Sequence, residues 1–316
     1  MNTSYASLAV ARTDYALDYC RVGRVLLNAR KPYALSKEKE SKKNFRFTIT
    51  TNGLLLNDEI MDYVNKHFVN IVLSVDGRRK THDRMRKTLT GTDTYKLIIE
   101  KIKKAAELRN QDNYYVRGTF TNHNLDFSKD VFDLADKGFK QISIEPVVAG
   151  ADTEYCIKEK DLDLIKKEYE ILATKYLEYS YTDKKFNFFH FMIDLEHGPC
   201  LIKRYKGCGS GTEYIAVTPE GHIYPCHQFV GMEEFIMGNL DNGIINDDIS
   251  RRFYESNILT KEACKKCWAR FYCSGGCAAN AYSFNKDIDL PYDIACELEK
   301  KRVECALWIK AKQMED

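Results

Sequence analysis

Four thiols crowd into fourteen residues: Cys264-Lys265-Lys266-Cys267-Trp268-Ala269-Arg270-Phe271-Tyr272-Cys273-Ser274-Gly275-Gly276-Cys277. The gaps are two, five and three residues. Free thiols oxidise, so such density needs a use. A two-residue gap lets one backbone turn aim both sulfurs at one metal, and the longer gaps close a cage around iron or zinc. Gly275-Gly276 lets the backbone approach a cluster closely. Cys208 and Cys226 lie upstream with seventeen residues between them, and Cys296 follows downstream.

The eleven cysteines of this 316-residue chain are an odd number. A disulfide framework suits small secreted domains. This chain is large, and its first residues lack the basic flank and apolar block of a secretory leader. The expectation is metal-bound thiolate in a reducing cytoplasm. With a net charge of +2, 44% apolar and 30% charged residues, nothing points to a nucleic-acid surface. No apolar run reaches the roughly 20 residues that cross a bilayer, so no membrane span is expected.

The elements that must position these thiols divide the chain in two. Residues 1–43 show no clear strand or helix period, and Cys20 stands alone there. From Asn44 onward, strands at Phe45–Thr50, Asn70–Val75, Tyr114–Thr121 and Gln141–Val147 alternate with helices. These helices cover Asp58–Phe68, Thr94–Leu108 (inner stripe Leu97, Ile98, Ile102, Ala105) and Lys129–Lys137, the last capped by Ser128. That order predicts a parallel sheet of βα units. Polar residues gather at the strand ends: Thr51-Asn52, Ser74, Asp76, Thr121-Asn122 and Glu145, the edge that carries the site in barrels of this build. Asn52-Gly53 and Asp76-Gly77 are equally good turn dipeptides.

A long helix, Asp161–Tyr179, is expected to cover the open side of the sheet. The aromatic run Tyr176–Phe191 reads as packing. Beyond it, Tyr214–Thr218 and His222–Tyr224 form a hairpin around Pro219-Glu220-Gly221, ending at Cys226-His227. A C-terminal helix spans Asp293–Lys312. On it Cys296 and Cys305 lie nine residues apart, about 180° around the axis, so one cluster cannot use both. Cys296 continues the upstream pattern and Cys305 reads as core.

The order Cys208, Gly221, Cys226, Cys264-x2-Cys267-x5-Cys273-x3-Cys277, Cys296 resembles the SPASM domain, the C-terminal extension of radical S-adenosylmethionine (radical SAM) enzymes that modify peptides. Tyr224-Pro225-Cys226-His227-Gln228-Phe229 and Cys273-Ser274-Gly275-Gly276-Cys277-Ala278-Ala279-Asn280 are similar to maturases of six-cysteine SCIFF peptides. Thr50-Thr51-Asn52-Gly53 and Ser74-Val75-Asp76-Gly77 resemble the radical SAM barrel after its second strand. The resemblance implies a partial, TIM-like α/β barrel at 44–197, a SPASM domain at 198–316 and an unmatched segment at 1–43.

It also implies two auxiliary [4Fe-4S] clusters. Cys264, Cys267, Cys273 and Cys296 would hold one. Cys208, Cys226 and Cys277 would hold the other, with Cys200 or a substrate thiolate as fourth ligand. Ser74 and Arg117 are candidate SAM contacts, and His227 is a candidate for proton exchange near the substrate. The implied reaction is reductive SAM cleavage, hydrogen abstraction from a Cys-rich precursor peptide and thioether formation, with ferredoxin or flavodoxin as electron donor. Two family motifs do not occur: the Cys-x3-Cys-x2-Cys loop that holds the SAM cluster, and Gly-Gly-Glu-Pro. The expectation is a truncated maturase that does not cleave SAM alone. Two alternatives use the same thiols: a non-catalytic iron–sulfur protein that binds peptide or carries electrons, and a structural zinc protein ligated by Cys264, Cys267, Cys273 and Cys277.

Overall fold

The computed structural model describes residues 5–8, 36, 37, 40, 42, 44–150, 152–193, 195 and 204–315. Cys20 and Cys200 lie outside the described residues.

The first half builds a sheet of six strands, β1 (Tyr5–Leu8), β2 (Asn44–Thr51), β3 (Asn70–Ser74), β4 (Tyr114–Phe120), β5 (Gln141–Pro146) and β6 (Asn187–Phe188), ordered as they occur in the chain. Pairing is parallel at β1/β2, β2/β3, β3/β4 and β5/β6. The intervening helices are α1 (Asp58–His67), α2 (Arg79–Met85), α3 (Tyr95–Leu108), α4 (Ser128–Asp136) and α5 (Leu162–Ser180). The four expected strands are therefore present. β1 is a fifth, in a segment read as having no strand, and β6 a sixth.

One face of the sheet is dry. Ile71, Leu73 and Val75, with Val116, Ile142 and Ile144, are fully buried, while their neighbours Val72 and Ser74 are half-exposed. In α3 the buried stripe is Tyr95, Ile98, Ile102, Ala105 and Ala106. Leu97 lies outside it at 48% exposure, one position off the inner face. Ser128 is the first residue of α4, and its hydroxyl donates to the Glu168 carboxylate.

The stretch after β3 is held by buried ions and includes α2. Asp76 takes a bidentate bond from Arg86 (Nε to Oδ2 2.6 Å, a terminal nitrogen to Oδ1 2.9 Å) and a further bond from the Thr119 amide. Asp130, also buried, accepts from the Arg78 amide and guanidinium and from the Thr81 hydroxyl. Gly77 between them has φ +112°, and a Cβ there would lie 2.2 Å from the Asp130 Cβ. Asp76-Gly77 is thus a structural joint. Asn52 likewise closes its own turn, its Oδ1 accepting from the Leu54 amide.

The chain divides into two compact units. One comprises residues 1–119, 129–145 and 184–188; the other comprises 120–128, 146–183 and 189–316. In the second unit α5 packs against α10 (Asp293–Glu315), with Lys166 bonded to Glu297 at 2.6 Å and Lys301 to Glu170 at 2.6 Å. A small antiparallel sheet, β7 (Ala216–Val217), β8 (His222–Tyr224), β9 (Gly238–Asn239) and β10 (Gly243–Ile244), is ordered β10-β9-β8-β7. Helices α6 (Asp247–Glu255), α7 (Glu262–Lys265), α8 (Arg270–Cys273) and α9 (Ala278–Asn285) follow. Phe229, Phe235, Phe253, Tyr224 and Ile288 form the core beneath that sheet. Among the described residues, no helix is long and apolar enough to cross a membrane.

Candidate metal centre

The cysteines of the second unit sort into two groups. Cys226 leaves β8 into a 3-10 turn and is buried, and its thiol feels the charge of Cys277 and Cys208. Cys277 in turn feels Cys208. The second group meets where α8 packs on α10. Cys273, at the end of α8, feels Cys296 and Cys264, and Cys296 feels Cys264 and Cys267. Cys267 follows Cys264 through a tight turn, its amide donating to the Cys264 carbonyl at 3.0 Å.

The surroundings of the sulfurs suit ligation of anionic thiolates. Backbone amides lie beside three of them in pairs and favour the thiolate: Gln228 and Phe229 at Cys226, Gly275 and Gly276 at Cys273, and Ala279 and Asn280 at Cys277. For Cys273 the pair arises because Ser274, Gly275 and Gly276 are successive left-handed residues (φ +60°, +88° and +73°). Such a run turns its amides toward one side and makes a concave anion seat. For Cys277 the donors are the first amides of α9, where the helix dipole favours a thiolate. Burial outweighs these donors. It pushes Cys226, Cys273 and Cys296 up to about 11, and raises Cys264 and Cys277 as well. Neighbouring thiols add to the rise. Thiols held this way become ligands when a bound cation supplies the missing positive charge. Cys277 keeps an exposed face, although enough protein surrounds its sulfur for burial to act on it.

Among the described residues, no three His, Cys, Asp or Glu side chains converge as a single metal ion requires. The ligands of a four-iron cube bind four separate irons and stand further apart than those of one ion. A single-ion site of the zinc type is therefore not present among the described residues. The zinc set drawn from sequence, Cys264, Cys267, Cys273 and Cys277, is not brought together: Cys277 falls with Cys208 and Cys226. Cys305 is buried and pushed up to about 12, with Lys301, Glu304 and Glu170 as its charged neighbours and no thiol among them. Cys156 is also buried, its Sγ donating to the Ile157 carbonyl.

His227, beside Cys226, shares a hydrogen bond through Nδ1 with the Tyr214 hydroxyl at 3.1 Å. Tyr214 is a partner that sequence reasoning missed. The hairpin register that brings it round, with Ala216 opposite Tyr224, becomes legible only once the turn length is known. In the first unit, Ser74 stands opposite Arg117 in the β3/β4 register. A terminal guanidinium nitrogen of Arg117 donates to Glu145 Oε2 at 2.6 Å. Ser74 ends β3, Arg117 lies at the middle of β4, and Glu145 lies next to the end of β5.

Residues 208–268 match the family model of SPASM, an iron–sulfur cluster-binding domain. The chain carries that domain and resembles radical SAM maturases over most of its length. It is 22% identical over 289 residues to the cysteine-type anaerobic sulfatase-maturating enzyme of Clostridium perfringens, covering 85% of this chain and 75% of that one. It is 24% identical over 286 residues to the antilisterial bacteriocin subtilosin biosynthesis protein AlbA of Bacillus subtilis, covering 87% and 57%. The fold is that of the native sulfatase-maturating enzyme anSMEcpe with bound AdoMet, at a TM-score of 0.71 and 20% identity over 97% of this chain and 83% of that one. A second structure, native anSMEcpe with bound AdoMet and Kp18Cys peptide, is similar at a TM-score of 0.70 and 19% identity over 99% of this chain and 87% of that one.

Proposed function

We propose that the chain works as a radical SAM/SPASM maturase of a Cys-rich, SCIFF-type precursor peptide, the product being a Cys thioether crosslink. The observation that carries this reading is the sorting of seven thiols into two groups, each lined by sulfur neighbours and three of the sulfurs seated on paired backbone amides. We assign Cys264, Cys267, Cys273 and Cys296 to one auxiliary [4Fe-4S] cluster. Cys208, Cys226 and Cys277 are assigned to the other, completed by Cys200 or by a thiolate of the peptide. When bound, such clusters supply one-electron acceptors beside the peptide.

The chain's own side chains bind and orient. Ser74 offers a hydroxyl and Arg117 a guanidinium, braced by Glu145, to the polar parts of SAM. His227, held at Nδ1 by Tyr214, is assigned to proton exchange with the peptide. The exposed face of Cys277 gives the peptide an approach to its group. Ferredoxin or flavodoxin would serve as electron donor.

No step of SAM cleavage is assigned to these residues. Cys20 is the only thiol ahead of Cys156, so the three-thiol SAM-cluster site does not occur in the 316 residues. That observation favours a second reading, an iron–sulfur protein that binds the peptide or carries electrons without cleaving SAM. One assay separates the two. The reconstituted protein is incubated with SAM, dithionite and a SCIFF-like peptide. Formation of 5′-deoxyadenosine and thioether supports the maturase. Peptide binding with neither product supports the second reading.

A further inference from the structure

Lys261 is buried to 5% exposure, and its position relates it to both thiol groups. Its ammonium donates to the carbonyl of Gly275 at 3.2 Å. Gly275 lies midway between Cys273, which belongs to one group, and Cys277, which belongs to the other. The charge of Lys261 is felt by Cys264 in the first and by Cys277 in the second.

The site that holds this lysine is built. Asn257, itself buried, accepts from the Leu259 and Thr260 amides at its Oδ1 and donates to the Glu255 carbonyl. Thr260 bonds back to the Asn257 amide and to the Glu255 carbonyl. The Lys261 amide then donates to the Asn257 carbonyl at 3.0 Å, and the Lys261 carbonyl accepts from the Cys264 amide at 2.9 Å. One continuous bonded loop thus fixes the lysine at the entry to α7. Among the described residues no carboxylate pairs with its ammonium.

A buried ammonium without an anion is strongly unfavourable. An ammonium has three N–H donors, and Gly275 engages one. The anions this position offers are the sulfurs of the two groups and whatever they hold. Reduction potentials of iron–sulfur sites rise with nearby positive charge and with hydrogen bonds to sulfur.

We propose that Lys261 is the shared counter-charge of the two thiol groups, and that it holds both clusters at a higher reduction potential than their ligands alone would give. The inference rests on the reading of those groups as cluster sites. The test is an EPR-monitored redox titration of reconstituted full-length protein, with iron and sulfide counted in each sample. Lys261→Gln removes the charge, and Lys261→Arg keeps it.

With wild-type iron content, Lys261→Gln is expected to shift both midpoints negative, and Lys261→Arg to titrate like the wild type. Unshifted midpoints in Lys261→Gln overturn the proposal, as does a shift confined to one cluster, since the charge would then not be shared. If Lys261→Gln fails to take up iron, wild-type protein labelled with 15N-lysine decides by pulsed EPR. A 15N coupling at the reduced cluster of the Cys208, Cys226 and Cys277 group that is lost in Lys261→Arg supports the proposal; its absence from the wild type, or its persistence in Lys261→Arg as a signal of Lys206, overturns it. A wild-type protein that binds no iron would instead remove the cluster reading itself.

Discussion

His82 makes the first unit sensitive to acid. Its ring is 1% exposed, with Nδ1 accepting from the Asp76 amide at 3.4 Å and Nε2 bonded to the Thr94 hydroxyl at 3.0 Å. Thr94 donates onward to the Arg86 carbonyl, which sets its hydroxyl as the acceptor for an Nε2 proton. The imidazole is therefore folded in its neutral form. Burial holds its pKa at about 4, against the partial opposition of Asp76 and Asp83, while Arg86 lowers it further. A base whose pKa falls on folding is protonated more readily in the unfolded chain. Its contribution is intact above the unfolded value of 6.5 and is lost as pH falls towards 4.

Between pH 7 and pH 5 the linkage removes about 2 kcal/mol of stability, and below pH 4 about 3 kcal/mol in all. The assay is urea unfolding followed by circular dichroism at pH 7, 6 and 5, comparing wild type with His82→Asn. Asparagine can still accept from the Asp76 amide but does not titrate. The variant starts lower because a ring is lost from the core, yet its stability should fall about 2 kcal/mol less than that of the wild type over the same range. Parallel pH profiles, within about 0.5 kcal/mol, would refute the assignment of a buried neutral imidazole.

Asp76→Ala should cost about 3 kcal/mol in thermal or urea unfolding, because it strips Arg86 and the Thr119 amide of their shared acceptor. Gly77→Ala should cost a further 2 kcal/mol or more, on the order of an overpacked core with a strained φ, since its Cβ would meet Asp130 at 2.2 Å. Cys273→Ala should cut bound iron by about four per chain while Cys305→Ala leaves iron unchanged, as read by chemical iron analysis.

The strands β2 to β5 could be read from sequence because their β-branched and apolar runs are bounded by Asn-Gly, Asp-Gly and charged helices. β1 and β6 could not. They are four and two residues long, and pairing with a neighbour rather than alternation defines them. Helix α2 was hidden because its residues, Arg79 to Met85, are nearly all polar and their buried partners are ions. No periodicity reports an ion pair such as Arg86–Asp76. The thiol groups were legible in outline, since cysteine spacing is itself the signal. The opposed placement of Cys296 and Cys305 followed from helical geometry alone. Tyr214 and Lys261 were not legible, because a tyrosine in a hairpin and a lysine ahead of a Cys-x-x-Cys pair are common. Only the folded backbone sets them beside His227 and Gly275.

The central claim is that seven thiols form two cluster sites. Iron, acid-labile sulfide and zinc per chain, counted after anaerobic reconstitution, test it directly. The account predicts about eight irons with matching sulfide and no zinc. Zinc without sulfide would contradict it, and so would about four irons that persist when Cys226 is replaced by alanine.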